Sequence, residues 1–221
     1  MRIGHLYKRK YTTDDVSYHD LFPDKIGTVP SFDYIISRTL MRPRDVILFF
    51  NEIFREATNS DIITPKTIKE AEKKYSRLRH RALIDEWKSS LPCIEDILGF
   101  LVSQKARIQI SDLTKSRNLD DIVLKLSEIK FERHDPITRY IVQSFNGWTQ
   151  QNEDYLLRLI ASELYRTGAI GLKLTNYDKH SYSFKDSPMI LPIELTLNTK
   201  IHIMPFLHPA LNINSKKSRK N

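Results

Sequence analysis

Apolar residues recur along this chain mostly at helical spacing and only near its end in alternation. Residues 1–30 carry Tyr7, Tyr11, Tyr18 and Phe22 without a sustained period and read as an irregular lead-in. Ser31 is placed as the N-cap of a short helix running from Phe32 to about Leu40 around Ile35 and Ile36. Arg42-Pro43-Arg44-Asp45 predicts the start of a second helix, since proline suits the first turn and an acid there suits the helix dipole. That helix should end near Ala57. Its apolar residues Val46, Ile47, Phe49, Phe50, Ile53 and Phe54 cover more than one face, which predicts burial on several sides. From Thr64-Pro65 to Trp87 or Lys88 runs the strongest helical pattern, with Ile68, Ala71, Tyr75, Leu78 and Ala82 in one stripe. Lys66, Lys69, Lys73, Arg77 and His80 fall opposite that stripe.

Further helices are predicted from Pro92 to about Gln104 and over a region including Asp120 to Leu126, capped by Ser111 or Asp112, after a short Ile108-Gln-Ile segment. Residues 130–136 read as a polar connector, and Tyr140 to Phe145 as a short strand or a turn of helix. Gln151 or Asn152 begins a helix that buries Leu156, Leu157, Ile160, Ala161 and Leu164, with Gly168 as its C′ residue. Ile170, Leu172 and Leu174 alternate as a strand, Tyr182 and Phe184 as its return partner, and Ile201 with Ile203 as a third strand. A helix, a hairpin and an extra strand in that order suit a winged-helix module. The expected fold class is therefore mainly α with a small β element. The expected organisation is a lead-in at 1–29, a helical lid-like bundle at 30–105, a winged-helix-like module at 106–213 and a disordered basic tail at 214–221.

Composition narrows the chemistry. At 221 residues the chain fits one domain or two small ones, and a 40% hydrophobic content is enough for a core. The single cysteine, Cys93, can make neither an internal disulfide nor a Cys-rich zinc site, which favours a reducing compartment. No apolar run approaches a membrane span and the N-terminal residues lack a secretory pattern, so a soluble cytoplasmic protein is expected. The six glycines form no phosphate-binding loop, and the histidines never fall at i, i+4, so they read as scattered surface residues and no metal site is expected. The formal charge of +8 is local: Thr64 to Pro92 carries eight Lys/Arg against four Asp/Glu, and Lys216, Lys217, Arg219 and Lys220 supply the other four positive charges.

Several segments together resemble a known family. The run Phe32-Asp-Tyr-Ile-Ile-Ser-Arg-Thr-Leu-Met-Arg-Pro-Arg-Asp-Val-Ile-Leu-Phe-Phe-Asn is similar to the lid region of bacterial AAA/STAND-like P-loop ATPases. More narrowly it resembles an uncharacterised P-loop ATPase family often found near anti-phage genes. Ile68-Lys-Glu-Ala-Glu-Lys-Lys-Tyr-Ser, Leu-Ile-Asp-Glu-Trp at 83–87 and Ile203-Met-Pro-Phe-Leu-His-Pro-Ala-Leu-Asn-Ile follow in the family's order. The resemblance covers about residues 30–213. It implies a nucleotide-sensor role for Arg42 or Arg44, because a guanidinium fork at a helix start suits a terminal phosphate. The Walker A and Walker B segments have no counterpart here, so the expectation is the C-terminal half of such an ATPase, in split, truncated or adaptor form and non-catalytic alone. No cofactor is expected in the chain itself. ATP and Mg²⁺ would enter only with a partner that supplies the nucleotide-binding half.

The expected partner is that ATPase half or an effector protein, docked on Lys66, Lys69, Lys73, Arg77 and His80, although a plain solvated face explains the same pattern. The first rival is a winged-helix DNA-binding protein. Its groove-entering helix, 151–167, has Glu153, Asp154 and Glu163 against Arg158 and Arg166, a poor surface for phosphates. The wing carries Lys173, Lys179 and Lys185 and is better suited. Nucleic acid thus stays open as a partner without support from the helix charge. The second rival, a Mg²⁺ nuclease using Pro23-Asp24 with Glu128-Ile-Lys130 or Glu72-Lys-Lys74, is weak because Glu72 falls mid-helix and Asp24 in an irregular stretch.

Overall fold

A computed structural model describes residues 17–58, 60, 62–128 and 135–214. Helix predominates with a small β component, as the pattern predicts, and the strands form two small antiparallel sheets. The chain divides into two compact units, residues 1–77 and 78–221. The expected boundary at 105/106 falls inside the second unit, where the Gln104 side-chain amide donates to the Asp112 carbonyl at 2.8 Å and to the Ser116 hydroxyl at 3.1 Å. The predicted tail from Ser215 onward lies outside the described residues.

In the first unit, the stretch expected to be irregular holds structure from Ser17 on. A one-turn helix α1 (Tyr18–Leu21) precedes a two-stranded hairpin, β1 (Lys25–Ile26) with β2 (Val29–Pro30). Helices α2 (Ser31–Ile36) and α3 (Pro43–Glu56) follow. Ser31 does not cap α2. It is the first helical residue, and its hydroxyl donates to the Pro23 carbonyl. Helix α3 starts as the sequence implies, with Arg42 as N-cap, Pro43 in the first position and Asp45 in the first turn. Its burial is one-sided: Phe49, Phe50 and Ile53 are buried, whereas Ile47 is exposed, so the expectation of burial on several sides does not hold. Aromatic packing joins these pieces. Phe22 stacks on Tyr18 at 4.4 Å and meets Phe50 edge-on at 5.5 Å, and Phe49 stacks on Tyr75 at 4.5 Å.

Tyr75 belongs to α4 (Pro65–Trp87), and the boundary between the units falls within this helix. The Thr64 hydroxyl accepts from the Thr67 N–H at 3.1 Å and caps it. The buried stripe begins as predicted with Ile68, Ala71 and Tyr75, and then steps one position round. Ser76, Arg79 and Leu83 are buried, while Leu78 is exposed and Ala82 only half-buried. A charged residue thus takes a core position. Arg79 is 1% exposed, and its guanidinium engages both Glu86 carboxylate oxygens at 3.0 and 3.3 Å and lies 5.8 Å from the Phe206 ring.

The second unit continues with α5 (Ile94–Gly99), which ends earlier than the predicted Gln104 and passes into turns. Strand β3 (Arg107–Gln109), a 3₁₀ segment (Ile110–Lys115), and helices α6 (Leu119–Ser127), α7 (Pro136–Ser144) and α8 (Gln150–Arg166) come next. The stretch expected as a short strand or a turn of helix is α7. Its N-cap Asp135 accepts from the N–H groups of Ile137 and Thr138 at 2.9 and 3.0 Å and from the buried Cys93 thiol at 3.4 Å. Burial and the Asp135 carboxylate push the Cys93 thiol well above its usual range, so it stays protonated. From Leu156 to Thr167 along α8 only Arg158 and Arg166 escape full burial. Gly168 then adopts φ 81°, as a C′ glycine should.

Strands β4 (Ile170–Lys173) and β5 (Lys200–Ile203) complete a three-stranded sheet in the order β3-β5-β4, antiparallel throughout. The predicted return strand at Tyr182 and Phe184 does not form. Only Ser181 bridges Leu172, and the chain then crosses α8, where the Ser162 hydroxyl donates to the Ile190 carbonyl at 2.6 Å and the Tyr165 hydroxyl to the Ser187 carbonyl at 2.7 Å. The third predicted strand is the true partner of β4.

The Arg79–Glu86 pair yields a stability prediction. Glu86→Ala removes the carboxylate that the buried Arg79 guanidinium engages and should cost about 2–3 kcal/mol, below the ~3–5 of a fully buried pair because the Glu86 side chain is 28% exposed. Replacing both partners, Arg79→Met with Glu86→Leu, should cost less than Glu86→Ala alone in urea unfolding. A double variant less stable than the single one would contradict this.

Candidate functional site

The charged residues singled out in the sequence occupy three places. Arg42 and Arg44 flank Pro43 at the start of α3; the Arg44 Nε lies 3.7 Å from the buried Asp45 carboxylate. Beside them Met41, at φ 56°, and Ile47 are exposed apolar side chains.

The second place is α4. Lys66, Lys69, Lys73 and Arg77 are exposed, on the helix surface away from Ile68, Ala71 and Tyr75. Lys73 is held by Glu70 at 2.8 Å and Lys74 by Glu56 at 2.6 Å. His80 departs from this row: it is half-buried, and burial lowers its pKa. On the inner side Glu72 accepts from the Tyr34 hydroxyl at 2.5 Å and the Arg38 Nε at 2.6 Å, while the Arg38 guanidinium lies 3.3 Å from the Tyr34 ring centre. Burial and the nearby Glu72 charge push the Tyr34 phenol well above its usual value. Glu72, one of the two carboxylates offered for the nuclease reading, is thus bound to the Tyr34 hydroxyl and the Arg38 guanidinium. Asp24 is exposed on the hairpin, Glu128 follows α6, and Lys130 lies outside the described residues.

The third place is the outer face of the β3-β5-β4 sheet. Register sets Arg107 opposite His202 and His202 opposite Gly171, with Gln109, Lys200 and Lys173 in the next row. Side chains alternate along a strand, so these six residues share a face while Ile108, Ile170, Leu172, Ile201 and Ile203 point into the core. Gly171 is required by the Tyr182 ring, which lies so close that a Cβ would sit 2.3 Å from a ring carbon. The Tyr182 hydroxyl meets His202 Nδ1 at 3.0 Å, and the His180 ring is 5.5 Å from the His202 ring. Two histidines read as scattered are thus neighbours. Burial lowers the pKa of His180, helped by Arg107, Lys173 and Lys200; burial, with His180, Arg107 and His208, pushes His202 down to about 4. Of the wing lysines, Lys173 is half-buried while Lys179 and Lys185 are exposed, and Lys185 lies 5.8 Å from the Tyr182 ring centre. The alternation in Ile201-His202-Ile203 was the sequence signal for this face, but its facing residues on β3 and β4 come from far along the chain.

Elsewhere in the second unit Trp87 lies under the Arg166 guanidinium at 4.6 Å, and Trp148 faces Tyr140 at 6.3 Å beside the exposed Leu124 and Phe145. Both tryptophans are half-buried. Among the described residues no three His, Cys, Asp or Glu side chains are grouped to hold a metal ion, and no helix is long and apolar enough to cross a membrane.

These features describe a mainly helical chain with small antiparallel sheets and charged outer faces. Residues 1–84 match the family model of a FunZ-associated C-terminal helical domain. That match fits a C-terminal domain of a larger protein family. No curated protein matches the chain, and no solved structure does.

The histidine pair predicts a pH dependence. The His202 value in the folded chain lies below the ~6.5 of an unfolded histidine, so the unfolded chain binds more protons between those values. This contribution is harmless above about pH 6.5 and lowers stability as pH falls toward 4. The urea midpoint should therefore drop more between pH 7 and pH 5 in the natural protein than in His202→Gln. An equal drop in both would count against it.

Proposed function

We propose that this chain is a docking module, non-catalytic by itself, that works with the nucleotide-binding half of a P-loop ATPase or with an effector protein. One observation carries the reading. Within the segment matched as a C-terminal helical domain, Lys66, Lys69, Lys73 and Arg77 stand exposed on one side of α4 while the other side packs on aromatic and aliphatic residues. A long helix fixed by its inner face presents its charges at set intervals, as recognition of an acidic partner surface requires. Exposed Met41 and Ile47 beside the α3 start add apolar contact area.

Arg42 and Arg44 supply the nucleotide-sensing side of this proposal. They sit where an α3 N-terminus and two guanidinium groups could meet a terminal phosphate carried by the partner. The chain's own role is to bind and to place positive charge; phosphate cradle, Mg²⁺ and attacking water belong to the partner. A place in anti-phage defence is part of the same proposal and rests on the family resemblance.

A second reading, a winged-helix arrangement in the second unit, is favoured by the strand order β3-β5-β4 around a helix that leads into β4. Insertion of α8 into a DNA groove is not favoured, because that helix has almost no outward face beyond its first turns.

Co-expression with a P-loop ATPase encoded by adjoining DNA tests the first reading. Co-elution is expected, with loss when Lys66, Lys69, Lys73 and Arg77 are all changed to Glu. Arg42→Ala with Arg44→Ala should leave co-elution intact and lower the partner's ATP turnover about 10-fold or more, the worth of one charge-assisted hydrogen bond. ATP hydrolysis by this chain alone, abolished by the same arginine changes, would overturn the proposal.

A further inference from the structure

The outer sheet face of the second unit concentrates positive charge in a way the α4 docking role does not use. Arg107, Lys173 and Lys200 come from three different strands and lie in adjacent rows of one face. Arg107 and Lys200 are exposed and Lys173 is half-buried. All three act on the His180 ring in the same sense, holding its proton affinity down. The nearby carboxylates are turned to the backbone: Asp178 accepts from the Thr175 N–H at 2.9 Å, and Asp186 from the Tyr182 N–H at 2.8 Å.

The edge of this face is aromatic. Lys200 donates to the Asn176 side chain at 2.9 Å, tying β5 to the loop after β4. The next residue in that loop, Tyr177, is 99% exposed and so offers the faces of its ring to a binding partner. Cations drawn from three strands onto one sheet face, with an unburied ring beside them, match what a nucleic-acid strand offers: successive phosphates and bases with free faces. A duplex offers the phosphates but keeps its base faces stacked inside, so Tyr177 favours the single strand.

We infer that the outer face of the β3-β5-β4 sheet binds single-stranded nucleic acid, with Arg107, Lys173 and Lys200 contacting phosphates and Tyr177 stacking on a base. This surface belongs to the second unit and is independent of the α4 docking face. It also differs from groove reading by a helix, since α8 takes no part in it.

The test is fluorescence anisotropy of the full-length chain with a labelled mixed-sequence 12-nucleotide DNA strand, across a salt series. Three phosphate contacts predict that log affinity falls with log salt at a slope of about −2, and that Arg107→Gln/Lys173→Gln/Lys200→Gln flattens this and weakens binding at least 10-fold. Tyr177→Ala should weaken binding about 5-fold or more with the salt slope unchanged. The single substitutions at the exposed Arg107 and Lys200 provide the same reading, each with a smaller loss, where the triple variant fails to unfold cooperatively. Charge reversal at Lys66, Lys69, Lys73 and Arg77 should leave strand binding intact, which separates this site from the docking proposal. Unchanged affinity in the triple variant would overturn the assignment of binding to this face. Tighter binding to the matching duplex, or equal competition by polyglutamate of the same charge, would overturn the single-strand assignment.

Discussion

Helix α8 has to be covered on nearly all sides, and the second unit is organised around that demand. Seven apolar side chains from Leu156 to Tyr165 are buried, each worth about 1.5–3 kcal/mol when removed from water, apart from the smaller Ala161. No single layer can cover a helix that is apolar around its circumference. Helices α5 and α7, strand β4 and the 3₁₀ segments Ile110–Lys115 and Pro192–Glu194 pack on it, and β5 holds β4 in place from the other edge. Its polar groups are satisfied within the same packing: Glu163 pairs with Arg166, and the Ser162 and Tyr165 hydroxyls bond the backbone of the segment crossing above them. What remains outside is the reverse face of the sheet. Its residues are polar because the core needs only the other side.

The first unit solves a different problem. It is small, and its core joins rings to branched aliphatics: Phe22, Phe49, Phe50 and Tyr75 are buried together with Ile26, Ile35, Leu40, Ile53, Ile63 and Ile68, and Tyr18 and Phe54 extend the aromatic contacts. Glu72 then enters the inner surface of α4, and its charge is balanced by the Arg38 guanidinium and the Tyr34 hydroxyl. This arrangement keeps α4 oriented by its inner face. The exposed lysines opposite are displayed by that packing, and Lys73 is held in addition by Glu70. The same division of labour holds in both units, where apolar packing fixes an element and leaves a basic face outward.

Elements whose evidence is local were legible in the sequence. Arg42-Pro43-Arg44-Asp45, Thr64-Pro65 and Gly168 each mark a helix end through the chemistry of the peptide bond, and all three fall within a residue or two of where the structure puts them. The lysine row was legible because helical spacing alone sets it. Misreadings arose where a distant partner decides. Periodicity placed Leu78 in the buried stripe, yet Arg79 takes the core position because Glu86 and Phe206 are there to receive it. Alternation placed Tyr182 and Phe184 in a strand, yet the Tyr182 ring packs against Gly171 and the chain beyond, at Ser187 and Ile190, is held by α8 hydroxyls more than twenty residues away in sequence. The histidine pair escaped notice for the same reason, since His180 and His202 meet only once β5 has paired with β4.

The sequence by itself determined that the chain is mainly helical, where its long helices begin and end, and that Lys66, Lys69, Lys73 and Arg77 share one side of a helix. These follow from backbone chemistry and from a repeat of 3.6 residues, which need no information beyond one or two turns. Only the tertiary structure decided that α8 is enclosed, that β5 rather than the nearer segment pairs with β4, and that Arg107, Lys173 and Lys200 lie together. Strand partners and buried ion pairs are chosen by which distant groups can satisfy one another away from water. Local spacing carries no record of that choice.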